Sequence, residues 1–391
     1  MAESNAELRK RVRSLAEREF RPHELDIAHA RKPLKSFMPI LAENGLLGHT
    51  APARFGGQGA PFLDMMVILE EISRVSYPVA GLVQIGANLP VEFIGKLGAQ
   101  ATCEKYLPKV VAGTMFAEAL SEPHAGSALT DMVTKVTSDG SGFRLSGRKC
   151  WVSYGNIADY IIVFTRFGDS KGSKGIGAVI VKSDAPGVRL VEGWATMANP
   201  TSPVESVYEF DNVRIEPEDV LVNGDTSNSN GFKKLMSAYN TQRLGNAANC
   251  LGLMQGAFDL AVERAKDRHQ FGRPIAEFQG VQWKLADMAV KLEASRALLY
   301  SAASMEAEEA LPSPYKTAVA KVLANQAVLD VTSEALQIFG GYGYRVDFPL
   351  EYRLRIARGQ ALAGGTLEVQ KNLIASMVLG QSFPQRRAMA G

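Results

Sequence analysis

Apolar residues in the first part of the chain recur at the spacing of α-helices. Leu8, Val12 and Leu15 lie three or four residues apart, so one helix face would collect all of them. Further apolar stripes of the same period follow between residues 62 and 97. This pattern predicts an N-terminal helical domain over residues 1–115.

The pattern changes to short β-prone segments from residue 116 onward. Valine, isoleucine and aromatic residues cluster in runs that glycine, proline, aspartate and asparagine separate, and no helical period remains. The clearest runs are residues 143–145, 160–164, 176–181 and 207–210. We predict a middle domain over residues 116–225, built as an antiparallel β-barrel or sandwich. A polar stretch at residues 222–231 is typical of a linker or mobile loop.

Long helical patterns return from about residue 232. Apolar residues at spacings of three and four predict four helices of the kind that form a bundle. These helices cover residues 247–266, 279–307, 314–339 and 367–379. We assign a C-terminal four-helix bundle domain to residues 226–391. The predicted fold class is therefore α+β, with a helical domain, a β-domain and a helical bundle in that order.

Composition excludes several classes of protein. The 391 residues carry a net charge of +2, which gives no electrostatic basis for binding nucleic acid or a membrane surface. Cys103, Cys150 and Cys250 are far apart and the five histidines show no paired spacing, so we expect neither a disulfide framework nor a metal site. No apolar run approaches the ~18 residues of a membrane span. With a charged N-terminus unlike a signal peptide, we expect a cytoplasmic protein, or an organellar one whose targeting segment has been removed.

Three motifs near the C-terminus carry candidate chemistry. They read D-R-H-Q-F-G-R-P-I-A-E-F-Q at residues 267–279, A-L-Q-I-F-G-G-Y-G-Y at 335–344 and A-G-G-T-L-E-V-Q at 363–370. In the last motif Thr366 can cap a helix that begins at Leu367. Glu368 would lie in the first turn of that helix, where a negative charge suits the helix dipole.

Together these motifs closely resemble the C-terminal signatures of the acyl-CoA dehydrogenase superfamily, in the same order and spacing. The resemblance covers nearly the whole chain. It implies a fold of helical, β and helical domains, FAD as the cofactor and an acyl-CoA thioester as the substrate. It also implies a homotetramer built as a dimer of dimers, and electron-transfer flavoprotein as a partner only if the reaction is a net oxidation.

The resemblance assigns a cofactor site residue by residue. Arg268 would contact the FAD diphosphate, and Phe271 would stack near the flavin across a dimer interface. Gln279 matches a polar contact to the ribityl or adenine part of FAD. The other residues that match FAD contacts are Gln337, Gly340, Gly341, Thr366 and Glu368. Glycines let backbone N–H groups approach a phosphate closely, which suits the glycine pair of the second motif.

Two segments of the middle domain resemble flavin-facing motifs of the same family. They read L-S-E-P-H-A-G-S-A at residues 120–128 and K-C-W-V-S-Y at residues 149–154. Carried over, Ser121, Trp151 and Ser153 would contact the flavin. Ser127 would lie near the CoA chain, beside Ala128, where the family commonly has aspartate.

A polar cluster reading N-T-Q-R interrupts the apolar pattern of a predicted helix. Buried polar groups need partners, so the cluster predicts a ligand or a network between helices, unless the helix ends in solvent there. The resemblance assigns Arg243 to CoA and places Asn240 where relatives often have aspartate. A second polar row, spaced by four, would either face solvent or line the acyl pocket. It consists of Gln84, Asn88 and Glu92.

The catalytic carboxylate of the family is missing from both places where relatives carry it. In most members a glutamate directly precedes the G-T pair, and here that position is Gly364. Other members carry it one residue before the arginine of the long helix, and here that position is Gln242. Loss of a positioned base typically costs about 10²–10⁴-fold in rate. Ordinary dehydrogenation is therefore disfavoured.

Flavin motifs without the base favour a reaction in which something other than a proton leaves the substrate. The N-T-Q-R and A-G-G-T motifs are similar to the branch of the family that includes 3-sulfinopropionyl-CoA desulfinase. In such a reaction a sulfinate leaves C3, and Gln242 would hydrogen-bond the polar acyl terminus or the leaving group. The acyl-binding arginine of that branch would fall near Gly81, yet residues 75–95 contain no arginine, so the substrate stays open.

Three alternatives remain. One is a dehydrogenase with a relocated base, although no carboxylate occurs between Glu71 and Glu92, where some relatives carry theirs. The second is a flavin monooxygenase, which the retention of Arg243 disfavours because that residue indicates CoA. The third is a non-catalytic protein that binds FAD or CoA.

Overall fold

The structure is a computed structural model that describes residues 4–140, 142–224, 230–304 and 311–383. The predicted polar linker lies partly outside the described residues, because residues 225–229 are not among them. The same holds for the end of the helix that was predicted for residues 279–307.

A helical layer precedes the β-domain. Its helices are α1 (Asn5–Glu19), α2 (Glu24–Ala28), α3 (Met38–Glu43), α4 (Phe62–Val75), α5 (Tyr77–Val83), α6 (Leu89–Leu97) and α7 (Gln100–Val111). Helix α1 begins with a capping box, in which Ser4 and Glu7 each accept a hydrogen bond from the other's backbone N–H. The predicted apolar face of α1 is buried.

Helix α4 is buried on nearly all sides, and its two central carboxylates join the first helices to the last. Glu70 and Glu71 are both buried, but each is paired. Arg9 binds both carboxylates, Arg13 contacts Glu71 at 2.8 Å, and Arg296 of the C-terminal part contacts Glu70 at 3.2 Å. A buried carboxylate needs such partners, so this network fixes α4 between α1 and the bundle.

The middle of the chain forms one eight-stranded sheet. Its strands are β1 (Phe116–Ala119), β2 (Lys135–Ser138), β3 (Phe143–Ser153), β4 (Tyr160–Phe167), β5 (Ile176–Lys182), β6 (Val188–Trp194), β7 (Glu205–Ile215) and β8 (Val220–Val222). The strand order is β6-β7-β3-β2-β4-β5-β8, and β1 pairs with β4.

The sheet is mixed, whereas the sequence pattern predicted an antiparallel one. Strand β4 pairs in parallel with both β1 and β2, and the other pairs of this sheet are antiparallel. The chain from β1 to β4 is long enough to cross over, which a parallel pair requires. Alternation of side chains is the same in both kinds of pair, so the pattern could not distinguish them.

The C-terminal part returns to helices. They are α8 (Gly231–Asp267), α9 (Gln279–Ala303), α10 (Pro314–Phe339), α11 (Pro349–Gln360) and α12 (Leu367–Val378), with a short hairpin of β9 (His269–Gln270) and β10 (Arg273–Pro274) after α8. The helix predicted from residue 247 thus begins sixteen residues earlier, at Gly231. Helix α11 was not among the predicted helices.

Helix α8 is the axis of the molecule. Its 37 residues span about 55 Å, and it packs against α4, α6, α9, α10 and α11. Glycine permits the closest of these contacts, since a Cβ at Gly252 would lie 2.2 Å from the Glu70 carbonyl oxygen of α4.

The observed architecture confirms the predicted α+β class. One large hydrophobic core joins the helices to one face of the sheet, and a smaller core lies within the β-domain. Among the described helices, none is both long enough and apolar enough to span a bilayer.

Candidate active site

An open cleft of about 510 Å³ lies where α8 and α10 end. Its lining includes Arg268, Gly340 and Gly341, three of the residues that the sequence assigned to FAD. Arg264 and Arg345 also line it, so three guanidinium groups border one space. A Cβ on either glycine would meet no heavy atom within 4 Å, so a ligand can approach the backbone closely there, although the Gly340 N–H already donates to the Gln337 and Leu336 carbonyls.

Other residues assigned to FAD lie on the surface outside the lining of this cleft. Phe271 projects from the turn of the β9–β10 hairpin and is 93% exposed. Its backbone is left-handed, with φ of 53°, and its ring meets Phe278 edge-on at 6.0 Å. Gln279 and Gln337 are exposed as well. An aromatic ring that solvent surrounds in one chain is suited to a contact that a second chain or a ligand completes.

The β-domain presents an aromatic surface at the end of β3. Trp151 is 57% exposed and has a φ of 58°. The centre of its ring lies 4.8 Å from the ring centre of Trp194 in β6. The hydroxyl of Ser153 donates to the carboxylate of Glu205 at 2.9 Å, and burial raises the pKa of Glu205. Trp151 is therefore open to a planar ligand, whereas the Ser153 proton is already engaged.

The predicted flavin turn is held by a buried ion pair that the sequence analysis missed. Lys149 and Glu122 have fully buried side chains, and Lys149 Nζ donates to Glu122 Oε1 at 2.9 Å. Lys149 also donates to the Leu120 carbonyl at 2.8 Å. The Ser121 carbonyl accepts from the Cys150 backbone at 2.9 Å, while Ser127 lies exposed further along the turn. This pairing fixes the position of Ser121 beside β3.

The N-terminus of α12 has the predicted cap. The Thr366 hydroxyl accepts a hydrogen bond from the backbone N–H of Val369, and the helix begins at Leu367. Glu368 is exposed in the first turn, and the backbone N–H groups and Thr366 lower its pKa. The helix start is confirmed, while the contact of both residues with FAD stays a prediction.

The polar row of the first domain is buried, so its solvent-facing interpretation is wrong. Gln84–Asn88 form a π-helical turn between α5 and α6, and Gln84, Asn88 and Glu92 are all buried. The π-turn directs two amides at α8: Gln84 donates to the Gln242 carbonyl at 3.1 Å and Asn88 to the Thr241 carbonyl at 3.4 Å. Such turns often mark functional sites.

Gln84 supports α8 with both ends of its amide. Its oxygen accepts a hydrogen bond from the Asn249 amide, and its nitrogen donates a hydrogen bond to the Gln242 carbonyl. The contact of Gln84 with substrate stays a prediction. In the structure its amide contacts α8 instead. The amide fixes the backbone of α8 beside the position that relatives use for a base.

The N-T-Q-R cluster lies in the middle of α8, so the interpretation as a helix end in solvent is wrong. Arg243 Nη1 donates to Asn240 Oδ1 at 2.7 Å, and Asn240 donates to the Pro312 carbonyl at 3.3 Å. Burial lowers the pKa of Arg243. Gln242 is 4% exposed, and neither atom of its amide has a hydrogen-bond partner among the described residues. A buried donor and acceptor left in this state indicate a ligand.

Gly364 lies against the same part of α8. Its carbonyl accepts from Arg243 Nε at 3.3 Å, and its φ of 68° is in the left-handed region. The first heavy atom that a Cβ at Gly364 would meet is Lys321 Cε, at 3.5 Å. The position where the family carries its glutamate therefore faces a lysine of α10.

Lys321 is fully buried, and its hydrogen-bond partner is a neutral side chain. Its Nζ donates to Asn325 Oδ1 at 2.7 Å, and burial lowers its pKa to about 8. Asn325 in turn donates to Asn246 at 2.8 Å and to the Cys250 sulfur at 2.9 Å. Burial raises the pKa of Cys250 to about 12, so this thiol stays neutral.

A buried carboxyl group of β1 approaches the cluster from the other side. Glu118 accepts a hydrogen bond from the Tyr239 hydroxyl at 2.7 Å, and its second oxygen has no partner among the described residues. Burial raises the pKa of Glu118 to about 7. The Arg243 guanidinium lies 5.1 Å from the centre of the Tyr239 ring. Glu118 is thus one tyrosine away from the arginine that contacts Gly364.

Sequence reasoning missed both Lys321 and Glu118, although each left a weak signal. Lys321 and Asn325 are polar residues one turn apart within an apolar stripe of α10. Glu118 is the one charged residue in the strand F-A-E-A, where a half-buried strand would alternate. A charged residue in a buried stripe requires a partner, and that requirement was the available signal.

Comparison with known proteins agrees with this geometry. Residues 2–114, 117–213 and 229–379 match the N-terminal, middle and C-terminal domains of acyl-CoA dehydrogenase. The chain belongs to the acyl-CoA dehydrogenase family. The resemblance that the motifs suggested is thereby confirmed, and these ranges cover most of the chain.

Two named relatives in this family act on different substrates. The chain is 37% identical to the 3-sulfinopropanoyl-CoA desulfinase of Paraburkholderia xenovorans (strain LB400), over 99% of each chain. It is 36% identical to the 3-(aryl)acrylate reductase of Clostridium sporogenes (strain ATCC 15579), over 95% of this chain and 97% of the relative. The butyryl-CoA dehydrogenase structure from Megasphaera elsdenii superimposes with a TM-score of 0.90 at 31% identity, covering 97% and 99% of the two chains.

Proposed function

We propose that the chain is an FAD-dependent enzyme that acts on an acyl-CoA thioester and cleaves the bond between C3 and a sulfinate group. Family membership supports the thioester and the flavin, and the similarity to a desulfinase supports the reaction. One observation carries the proposal: neither base position has a carboxylate. At the first, Gly364 faces the Lys321 side chain, and at the second, the amide of Gln242 has no hydrogen-bond partner in the part of the chain that the structure describes.

The residues proposed to hold FAD fit a large anionic cofactor. Arg264, Arg268 and Arg345 line one cleft, and the glycines beside them leave room for a ligand, a combination suited to a diphosphate. Bound FAD would supply a conjugated ring that can withdraw charge from a thioester beside it. Trp151 would pack against that ring, since its indole is exposed at the end of β3.

The CoA end of the substrate would be held by Ser127 and Arg243. Ser127 is exposed on the turn that Glu122 and Lys149 fix. Arg243 uses Nη1 and Nε within the protein, and a guanidinium has further N–H donors for a ligand. Within this assignment, residues 1–115, 116–225 and 226–391 remain the proposed domains.

Desulfination needs a proton at C3 rather than a base at C2. The C–S bond breaks, its electron pair stays on C3, and C3 takes up a proton. Sulfur leaves as sulfur dioxide, which water converts to sulfite. Carbon is reduced and sulfur is oxidised within one molecule, so water is the co-reactant. Electron-transfer flavoprotein would not take part in such a reaction.

A second candidate function is dehydrogenation, or its reverse, with a relocated base. Glu118 favours it, because burial raises the pKa of this carboxyl group to about 7 and one of its oxygens has no partner among the described residues. A general base is most effective when its pKa lies near the working pH. The acrylate reductase relative belongs to the same chemical class. Glu118 is the relocated carboxylate that the region between Glu71 and Glu92 could not supply.

We also propose a homotetramer, built as a dimer of dimers, that acts in the cytoplasm. Large apolar side chains are exposed along α9 and at the end of α12. They are Trp283, Val290, Leu298, Met377, Val378 and Leu379. Together with exposed Phe271, they are suited to contacts between subunits. The three cysteines are free and buried, which agrees with a reducing compartment.

Anaerobic mixing of the flavin-loaded enzyme with two thioesters tests the function. With butyryl-CoA we expect the flavin to stay oxidised, and with 3-sulfinopropanoyl-CoA we expect sulfite without lasting bleaching. Rapid bleaching by butyryl-CoA that Glu118→Gln abolishes would contradict desulfination and support the second candidate. Asp219→Asn is the matched control, because Asp219 also accepts from a tyrosine, Tyr106 at 2.6 Å, outside the candidate site.

A further inference from the structure

A buried lysine and a half-buried arginine border the place where Gly364 lacks a side chain. Lys321 Cε lies 3.5 Å from the Cβ that a larger residue would have there, and Arg243 Nε donates to the Gly364 carbonyl at 3.3 Å. The Lys321 side chain is completely buried. Burial, and to a smaller extent the nearby Arg243, lower the pKa of Lys321, so the proximity of the two cations is unfavourable unless negative charge is nearby.

No acidic side chain balances these charges directly. Among the described residues, neither Lys321 nor Arg243 forms an ion pair, and both donate to asparagine oxygens. The carboxyl group of Glu118 reaches Arg243 only across Tyr239, and burial raises the pKa of Glu118 to about 7. A buried charge without a counter-ion is costly, so the site is electrostatically incomplete.

A polar side chain of α8, Gln242, has no hydrogen-bond partner among the described residues. Gln242 and Asn246 are one turn apart and share a helix face. Asn246 accepts from Asn325, which itself accepts from Lys321. The amide of Gln242 is buried and has no partner among the described residues. Among the described residues, Gln242 thus adds an amide without a hydrogen-bond partner to the helix face that reaches Lys321 through Asn246 and Asn325.

We propose that an anionic group of the substrate completes this site. The charged end of the acyl chain would occupy the space of the absent glutamate side chain, paired with Lys321 and hydrogen-bonded by Gln242. The favoured substrates are acyl-CoA thioesters with a sulfinate or carboxylate on C3, and a neutral chain of the same length would leave Lys321 unpaired. This inference rests on the proposed function and narrows its substrate class.

The site also explains how the chain manages without an arginine in residues 75–95. In this chain the counter-charge for the acyl end comes from α10 rather than from α5 or α6. The π-turn at residues 84–88 instead supports the backbone of Gln242. Lys321 is accordingly a specificity-determining residue, with no part in breaking the thioester or in holding FAD.

Binding of two stable thioesters to the flavin-loaded enzyme tests the proposal. Succinyl-CoA carries a carboxylate on C3, and butyryl-CoA carries a methyl group there. We expect wild type to bind succinyl-CoA more tightly, by about tenfold to hundredfold, the factor of one charge-assisted hydrogen bond. Lys321→Met should reduce this preference to less than about twofold, and Lys284→Met, which removes an exposed lysine of α9, should retain it.

A second measurement needs no variant. Burial lowers the pKa of Lys321 to about 8, while Arg243 stays charged. Raising the pH from 7 to 9.5 should therefore weaken the binding of succinyl-CoA more than the binding of butyryl-CoA. Cys250, the other titratable group beside Lys321, has its pKa at about 12 and stays neutral over this range. Equal affinity for both thioesters at pH 7 would overturn the anion site and leave the proposed function intact. Failure to bind either thioester would overturn both.

Discussion

The β-domain and the helical bundle each bury one lysine completely, and the two lysines differ in their partners. Lys149 pairs with the buried carboxylate of Glu122 at 2.9 Å and also donates to a carbonyl. Lys321 donates to the neutral amide of Asn325 and has no ion pair among the described residues. Burial lowers the pKa of each lysine to about 8.

This difference in partners distinguishes a lysine that stabilises the fold, Lys149, from a lysine that is available to a ligand, Lys321. The pair in the β-domain is complete, and Glu122 also accepts from the backbone of Val133 and Thr134. The protein itself therefore satisfies Lys149 and uses it to fix the flavin turn. Lys321 in the bundle has no counter-ion among the described residues and lies beside Gly364, so a ligand must supply the negative charge. Four variants test this distinction.

Lys149→Met should have the largest effect on stability. It leaves Glu122 buried without its counter-ion, and breaking such a pair typically costs about 3–5 kcal/mol. Urea denaturation of the flavin-free protein measures the loss in the free energy of unfolding. A Lys149→Met, Glu122→Gln double variant should recover part of it, and a loss below about 1 kcal/mol in the single variant would mean that the pair is not structural.

Gly364→Glu should abolish the native reaction without restoring dehydrogenation. The new side chain begins 3.5 Å from Lys321, so its carboxylate would pair with that lysine and occupy the proposed anion site. The left-handed backbone adds a strain of roughly 1–2 kcal/mol. We expect sulfite release to fall at least about a hundredfold, in line with the loss of one positioned group. Gly364→Ala carries the same strain without the charge and is the control.

Rapid flavin reduction of Gly364→Glu by butyryl-CoA would contradict this expectation. It would mean that the carboxylate reaches the acyl α-carbon as in the dehydrogenases, and that Lys321 does not hold it. Lys321 would then not be the residue that attracts an anionic group at this site.

Arg268→Ala extends the comparison to a cation in an open cleft. One charge-assisted hydrogen bond to a phosphate is worth about 1.5–3 kcal/mol, so the dissociation constant for FAD should rise by about tenfold to a hundredfold. Thermal unfolding of the flavin-free protein should hardly change. Arg273→Ala, in the adjacent hairpin, is the control, and unchanged flavin retention after dialysis in Arg268→Ala would refute the assignment.

Lys321→Met should have the smallest effect on stability. Replacing an incompletely paired buried charge with an apolar residue is often neutral or stabilising, so we expect a change within about 1 kcal/mol at pH 7. The folded pKa of about 8 lies below the usual 10.5, so the unfolded chain binds more protons between these values. The stability of wild type relative to Lys321→Met should therefore rise by about 1 kcal/mol from pH 8 to pH 9.

A large loss of stability in Lys321→Met at pH 7 would remove the distinction between the two lysines. It would place Lys321, like Lys149, among the residues that hold the fold. Lys291→Met, which removes a lysine exposed in an ion pair with Asp330, gives the size of an unspecific effect.

Patterns of apolar residues predicted the architecture, because burial of one helix face or strand face leaves a periodic trace. They failed at the parallel pairs of β4 and at the start of α8. Strand direction leaves no such trace, and the polar residues 240–249 of α8 look like a helix end unless their partners on other helices are known.

The candidate site was predictable only where a motif names it. Arg268, Gly340 and Gly341 come together in one cleft as the motifs suggested. The absence of a carboxylate at Gly364 was visible in the sequence, but its neighbour Lys321 was not, because 43 residues of chain separate them. Such a contact depends on how α10 packs against the turn before α12.

We propose that the reaction proceeds without removal of the α-proton. The position of deuterium in a product formed in D₂O shows whether it does. The enzyme is supplied with 3-sulfinopropanoyl-CoA in D₂O, and the propanoyl-CoA formed is examined by NMR and mass spectrometry. We predict one deuterium at C3 and none at C2, because the C–S electron pair is protonated where it remains. Deuterium at C2 in the product would show that a base acts on the α-carbon and would contradict the account.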